Sequence, residues 1–387
     1  MTRRMAKTRN EVFLQDQENM TFSEIANPWV KGFGRYEPGR PIEDVARELG
    51  FADADQIIKL ASNENALGPS PLAARAMRRS IKRMHLYPDG GAYSLRHAIA
   101  AKLSVKPDQV VLGNGSNEII ELLGHVFLSP GTDIVMASQA FVIYRLVAAM
   151  FGSAVTSVSM RDFTHDLDAM LAAVRPCTRI IFISNPNNPT STVVEPAAIE
   201  RFMSSVPNHV IVCFDEAYIE LLPPERQPDT IRHVRDGRKV VVLRTFSKTY
   251  GLAGLRLGYG IMPEECADLL NRARQPFNVN AMAQAAGVAA LDDDRHVART
   301  RAMVARGISF FERELRRMKL PFVPPSANFI LVEVGEGRRV FEAMQREGVI
   351  VRPMDPYGLP SHIRITIGKP SENRRCMAAL RKVLGMT

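Results

Sequence analysis

From about residue 70 to residue 291 the chain repeats one pattern: a short apolar run, a polar break, then a helical pattern. The apolar runs lie at 109–112, 133–137, 154–158, 179–184, 209–214, 239–243 and 257–262, and most are rich in β-branched residues. Helical spacing lies between most of them, as at 117–127 and 195–203. Strands that alternate with helices predict an α/β fold, with a mostly parallel seven-stranded sheet covered on both faces. Such sheets bind ligands beyond the carboxyl ends of their strands. The polar residues just after each run are therefore the ones to weigh.

The rest of the chain is organised differently. Residues 292–318 carry charged and apolar residues at helical spacing and predict one long helix. Three further strand-like runs at 328–334, 349–352 and 362–367 predict a smaller α+β domain. The turn-rich segment Tyr36-Glu37-Pro38-Gly39-Arg40-Pro41 reads as the start of folded structure. The expected organisation is an N-terminal arm over 1–35, a large domain over 70–291, and a small domain made of 36–69 with 292–387.

Composition narrows the function. The chain has 387 residues, 46% hydrophobic and 24% charged, as in an ordinary globular protein. No apolar stretch reaches the roughly 18 residues of a membrane span, and the basic N-terminus lacks the apolar segment of a secretory signal. Cys177, Cys213, Cys266 and Cys376 form no Cys-x-x-Cys pair. This argues against a zinc site or a disulfide framework and fits a reducing cytoplasm. The net charge is +9, but the basic residues are scattered among acids. That pattern favours a generally basic surface, or a site for anionic small molecules, over nucleic-acid binding.

Several strand ends carry chemistry. After 109–112 comes Gly113-Asn114-Gly115-Ser116-Asn117-Glu118, a glycine-rich turn opening a helix. Its N–H groups suit a phosphate, or it is simply a helix capped by Ser116 or Asn117. The third glycine of a dinucleotide fingerprint is absent, which weakens a nicotinamide-cofactor reading. After 133–137, Phe141 can stack on a flat ligand or belong to the core. After 179–184, Asn188 stands immediately before Pro189, so a stiff backbone presents its amide; an ordinary Asn-Pro turn gives the same sequence. After 209–214 come Asp215 and Tyr218. A carboxylate there needs a cation or good donors, and a protonated ring nitrogen is one such partner. A helix cap or a metal ligand is the alternative, although no matching carboxylate/histidine set supports a metal.

The run 239–243 leads into Arg244-Thr245-Phe246-Ser247-Lys248-Thr249-Tyr250-Gly251-Leu252-Ala253-Gly254-Leu255-Arg256. A lysine held there, among anion-binding groups and away from bulk water, can form a Schiff base with an aldehyde. Arg256 is a candidate phosphate clamp, because a guanidinium matches phosphate in a bidentate fork. Arg352 and Arg364 lie in apolar runs of the third section. Either an anionic ligand or an internal ion pair would satisfy them.

Together these residues resemble the fold-type I aminotransferases that use pyridoxal phosphate, and most closely the histidinol-phosphate aminotransferase family. The resemblance runs from about Tyr36 to the C-terminus. It is carried by Ser62-Asn63-Glu64-Asn65, Tyr87-Pro88-Asp89-Gly90, 184–190, Asp215-Glu216-Ala217-Tyr218, 244–256 and Ile363-Arg364-Ile365-Thr366-Ile367-Gly368, in that order. It implies that the large domain binds pyridoxal 5'-phosphate and that Lys248 forms the Schiff base and moves the proton. It further implies that Asp215 pairs with the ring nitrogen, Asn188 and Tyr218 bond the ring hydroxyl, and Phe141 stacks on the ring. Ser116, Asn117, Ser247, Arg256 and Thr245 would hold the phosphate, with Tyr87 reaching it from a neighbouring subunit. Tyr36, Asn65, Arg352 and Arg364 would bind substrate, Tyr36 also from the neighbour, which makes the protein a homodimer with shared sites. Two positions depart from the family pattern: Ser191, where relatives usually have glycine, and Ala327, where a threonine is common.

The implied reaction moves the amino group of L-histidinol phosphate to 2-oxoglutarate. The implied partners are a small-molecule amino donor and a 2-oxo acid, with no nucleic acid and no membrane. An aromatic amino-acid aminotransferase would use the same machinery. A decarboxylase of a phosphorylated amino acid and a non-enzymatic cofactor-binding regulator are the further alternatives, although the arm before Tyr36 is too short and irregular for a helix-turn-helix.

Overall fold

The computed structural model describes residues 20–32, 34 and 39–386. Among the described residues thirteen strands form three sheets. They are β1 (Ile58–Lys59), β2 (Val110–Gly113), β3 (Asp133–Ala137), β4 (Ala154–Val158), β5 (Thr178–Ser184), β6 (Ile211–Asp215), β7 (Val240–Thr245), β8 (Gly258–Ile261), β9 (Phe322–Val323), β10 (Phe329–Glu333), β11 (Val349–Ile350), β12 (Arg352–Pro353) and β13 (His362–Thr366).

The large sheet has the order β2-β8-β7-β6-β5-β3-β4. Neighbours from β7 through to β4 pair in parallel, and β8 is antiparallel to both β7 and β2. Strands β5, β6 and β7 are almost wholly buried, as expected of β-branched runs covered on both faces. One core lies on each side of the sheet. Ile181, Val212, Phe214 and Val242 face one; Ile180, Phe182, Cys213 and Val241 face the other. The alternation of neighbouring residues between the two cores is the period-2 geometry of a strand.

A separate core joins Val45, Ile57 and Leu60 to Phe311, Ile330, Ile363 and Leu380. It is built on the sheet β12-β13-β10-β9 and on the pair β1-β11. The expected run 349–352 is divided: Val349–Ile350 pairs with Ile58–Lys59, and Arg352–Pro353 joins the four-stranded sheet. The two-residue strands β1 and β9 are too short to show any periodicity in sequence. The long helix spans Asp294–Arg317, capped by Asp293, whose side chain accepts from His296 N. Val297 packs against one core of the large sheet, and Phe311 and Leu315, further along the helix, belong to the separate core. No helix among the described residues is long and apolar enough to cross a membrane.

Candidate active site

The polar residues after the strands converge on one cavity of about 430 Å³. Ser116, Asn117, Phe141, Asn188, Asp215, Tyr218, Thr245, Ser247, Lys248, Arg256, Arg352 and Arg364 all line it. Its wall also holds two acids, Asp215 and Glu64, against the four cations Lys248, Arg256, Arg352 and Arg364. That excess of positive charge suits anionic ligands.

One end of the cavity lies at the carboxyl edge of the large sheet. Gly115 takes φ +75° and precedes the helix Ser116–Phe127. A Cβ on Gly115 would stand 2.7 Å from Arg256 Nη2, so the glycine lets the guanidinium close over the helix N-terminus. Ser247 Oγ is buried and has no hydrogen-bond partner among the described residues. An unmet buried hydroxyl beside a helix N-terminus and a guanidinium fits a phosphate. Thr245 Oγ1 is engaged within the protein, donating to Leu257 O at 3.2 Å and accepting from Ser247 N at 3.1 Å.

Asp215 ends β6 and is 4% exposed. Its Oδ2 accepts from the Tyr144 hydroxyl at 2.7 Å, and its Oδ1 accepts from Ala217 N at 3.2 Å. Burial pushes its carboxyl up, and the Tyr144 and Ala217 hydrogen bonds act against that rise. A protonated ring nitrogen is the counter-charge such a carboxylate lacks. Tyr144 escaped the sequence reading. It lies one helical turn beyond Phe141, stacks on Phe182 at 4.5 Å and meets Phe141 edge-on. The Phe141-x-x-Tyr144 spacing was the available signal.

Lys248 Nζ donates to Ser62 O at 3.1 Å and stands 5.6 Å from the centre of the Tyr218 ring. Burial, and after it the Arg364 charge, pull its amine down to about 8. The Tyr218 hydroxyl accepts from Asn63 Nδ2 at 2.9 Å. Asn63, at φ +56°, is a second residue that the sequence reading missed.

The other end of the cavity belongs to the four-stranded sheet. Arg364 on β13 is directly opposite Arg352 on β12. Opposed residues of an antiparallel pair share a face, and like charges there repel, so an anion between them is stabilising. Arg364 donates through Nη1 to Asn188 Oδ1, in the loop after β5, and through Nη2 to Ala61 O, beside β1. Tyr357, Ser62 and Gly39 complete this wall.

Two of the expected residues, Asn65 and Tyr87, are not on the wall. The Asn65 amide donates to Thr249 O at 2.9 Å and Thr300 Oγ1 at 3.0 Å, so it braces the lysine loop against the long helix. Only Glu64 separates it from Asn63, whose φ of +56° turns the backbone so that Asn63 takes the cavity wall. Tyr87 is 84% exposed and stacks on Phe277 at 4.9 Å, away from the cavity of its own chain. Tyr36 lies outside the described residues. Among the described residues no cluster of three or more His, Cys, Asp or Glu could hold a metal ion.

The two departures from the family pattern touch each other. Ser191 has φ +64°, and its Oγ accepts from Ser326 N at 3.0 Å and from Ala327 N at 2.8 Å. A left-handed non-glycine residue costs about 1–2 kcal/mol, whereas the buried Ala327 N–H, left without this acceptor, would cost about 1–3 kcal/mol. The hydroxyl therefore offsets the strain that serine introduces.

Residues 55–380 match the model of the family described as aminotransferase class I and II. A histidinol-phosphate aminotransferase of Akkermansia muciniphila is 50% identical, over 94% of this chain and 100% of its own length. That of Moorella thermoacetica is 46% identical, over 90% of each chain. The crystal structure of histidinol-phosphate aminotransferase from Sinorhizobium meliloti, in complex with pyridoxal-5'-phosphate, superposes with a TM-score of 0.86 at 26% identity, covering 94% of this chain and 98% of that one.

Proposed function

The chain belongs to the class I and II aminotransferases, in the histidinol-phosphate aminotransferase family, and we propose that its cavity divides that family's work between two ends. The protein is a pyridoxal-phosphate-dependent transaminase. It transfers the amino group of L-histidinol phosphate to 2-oxoglutarate, giving imidazole acetol phosphate and L-glutamate.

When bound, pyridoxal phosphate supplies an aldehyde that condenses with amines and a ring that stores the electrons of a broken Cα–H bond. Ser116, Asn117, Ser247 and Arg256 hold its phosphate, with Thr245 bracing the Ser247 backbone, and Phe141 covers its ring. Asp215, itself held by Tyr144, keeps the ring nitrogen protonated. Asn188 and Tyr218 fix the ring hydroxyl. Lys248 is the amine that would tether the aldehyde and, once free of it, would take up the proton of the donor's α-carbon and give it back. Its lowered pKa raises the share of neutral, basic amine near physiological pH. Arg352 and Arg364 take the anionic end of each substrate: the phosphate of the donor and a carboxylate of 2-oxoglutarate.

The observation that carries the donor assignment is the opposed Arg352–Arg364 pair, set across the cavity from a buried amine. Single-turnover spectroscopy tests it. Histidinol phosphate should convert the bound cofactor from its pyridoxal to its pyridoxamine form at least about tenfold faster than phenylalanine or tyrosine, a margin expected of one charge-assisted contact. The reverse order contradicts the assignment.

The active form in this reading is a homodimer. Ile81, Leu86, Tyr87, Tyr93 and Phe277 are large apolar or aromatic residues left exposed on the outside of the described chain, a composition suited to an interface. In the dimer Tyr87 would reach the partner's cofactor phosphate and Tyr36 the partner's substrate. The four cysteines are all free thiols, which suits the cytoplasm as the place of work.

A further inference from the structure

We propose that Ser191 is a positioning residue for the anion-binding end of the site. Through its hydroxyl it sets the distance between Asn188 and the strand pair that carries Arg364. The proposal rests on the reading that Arg364 takes the anionic end of the substrates.

Ser191 is fully buried and does not line the cavity, so it cannot act by touching a ligand. It lies in the turn that presents Asn188. Its N–H donates to Asn187 O at 2.8 Å, and Asn187 N donates to Thr192 O at 2.9 Å. The turn directly follows β5, and Asn187 Nδ2 donates to Gln139 O, just after β3, at 2.9 Å. The turn is therefore anchored to the unit that holds the cofactor end.

The Ser191 hydroxyl carries that anchorage to the other unit. It receives the N–H groups of Ser326 and Ala327, and Ser191 O receives Ser326 N again at 2.8 Å. Residue 327 leads straight into β10, whose Leu331 is opposite Arg364 on β13. The same segment governs a second contact. Asn328 Nδ2 donates to Asn63 O at 3.1 Å, and Asn63 in turn holds the Tyr218 hydroxyl. Two links thus join the Asn188 turn to the β10–β13 pair: Asn188 with Arg364, which the substrate anion must share, and Ser191 with Ser326 and Ala327, which it does not touch. The second link holds the geometry while the first is rearranged.

Ser191→Gly and Ser191→Ala separate this role from plain stability. Glycine removes the hydroxyl and relieves the positive φ, so it folds; alanine removes the hydroxyl and keeps the strain. In both, amide exchange at Ala327 should accelerate. The KM for 2-oxoglutarate and for the amino donor should rise by about 5–20-fold, as expected when a binding group is displaced by a fraction of an ångström. The kcat should stay within about twofold, and the absorbance of the bound cofactor should be unchanged. Faster Ala327 exchange with both KM values within about twofold of wild type overturns the proposal, as does unchanged exchange. If the wild-type enzyme fails to accept histidinol phosphate, the donor assignment falls. The 2-oxoglutarate KM, read with whichever donor turns over, still decides the role of Ser191.

Discussion

The two ends of the cavity are built on different principles. At the cofactor end each group comes from the end of one strand of a single sheet: Ser116 after β2, Phe141 after β3, Asn188 after β5, Asp215 on β6, Lys248 after β7. The frame is a packed core, and the polar groups sit where parallel strands must stop. At the substrate end the groups come from three remote stretches, around Gly39 and Ser62, Arg352 and Tyr357, and Arg364. They meet only because β12 pairs with β13 and because Arg364 reaches Asn188 and Ala61. The first end is suited to chemistry that does not vary, the second to recognition that does.

Loss of the amine should be the largest single effect. Lys248→Ala is expected to lower kcat by roughly 10³-fold or more, since it removes both the tether and the proton carrier. Cofactor should remain bound without a covalent link, which absorbance after gel filtration will show. Substantial turnover in this variant would break the division between the ends. Arg364→Ala should act in the opposite column: the KM for histidinol phosphate rises about 10–100-fold, the range of a lost charge-assisted contact, with a smaller change in kcat. A pure kcat effect would mean that Arg364 belongs to the chemical end.

Tyr144→Phe sharpens the account of the deep end. It removes one hydrogen bond to Asp215, worth about 1 kcal/mol, so kcat should fall by about fivefold with KM nearly unchanged. That hydrogen bond holds the Asp215 carboxyl down against burial. Its loss lets the carboxyl rise, and the variant should lose cofactor at a higher pH than wild type as acid is added.

The smallest effect concerns stability of the apoprotein. Lys248 has its amine lowered from 10.5 to about 8, chiefly by burial. The folded state therefore binds fewer protons than the unfolded state between about pH 8 and 10.5. The penalty for the buried charge is present in full below about 8 and fades as pH rises through that window. Lys248→Met apoprotein should be more stable than wild type at pH 7, by on the order of 1–3 kcal/mol, and the gap should close towards pH 10.5. Denaturant melts at the two pH values measure it.

The same contrast explains what could be read in the sequence. Strand ends are marked locally, because an apolar β-branched run must be followed by the residue that meets solvent or ligand. Asp215, Lys248 and Asn188 were therefore visible one at a time. The opposition of Arg352 and Arg364 depends on the register between β12 and β13, which no local pattern states. Asn63 and Asn65 show the limit most clearly: two amides, two residues apart in one motif, of which only the fold decides that the first faces Tyr218 and the second the long helix. Tyr144 was hidden for another reason. A buried tyrosine on an apolar helix face reads as core until its hydroxyl is seen to meet a carboxylate.

The central claim is that recognition of an anionic donor resides at the arginine end and is separable from the chemistry at the lysine end. The most direct measurement is a single-turnover comparison of histidinol phosphate with histidinol, which has the same amine and imidazole but no phosphate. The wild-type enzyme should convert its cofactor with histidinol phosphate at least about 100-fold more efficiently, the margin of two charge-assisted contacts, and Arg364→Ala should shrink that ratio while leaving the histidinol rate nearly intact. Equal efficiency for the two donors in the wild type, or an equal loss for both in the variant, would contradict the account.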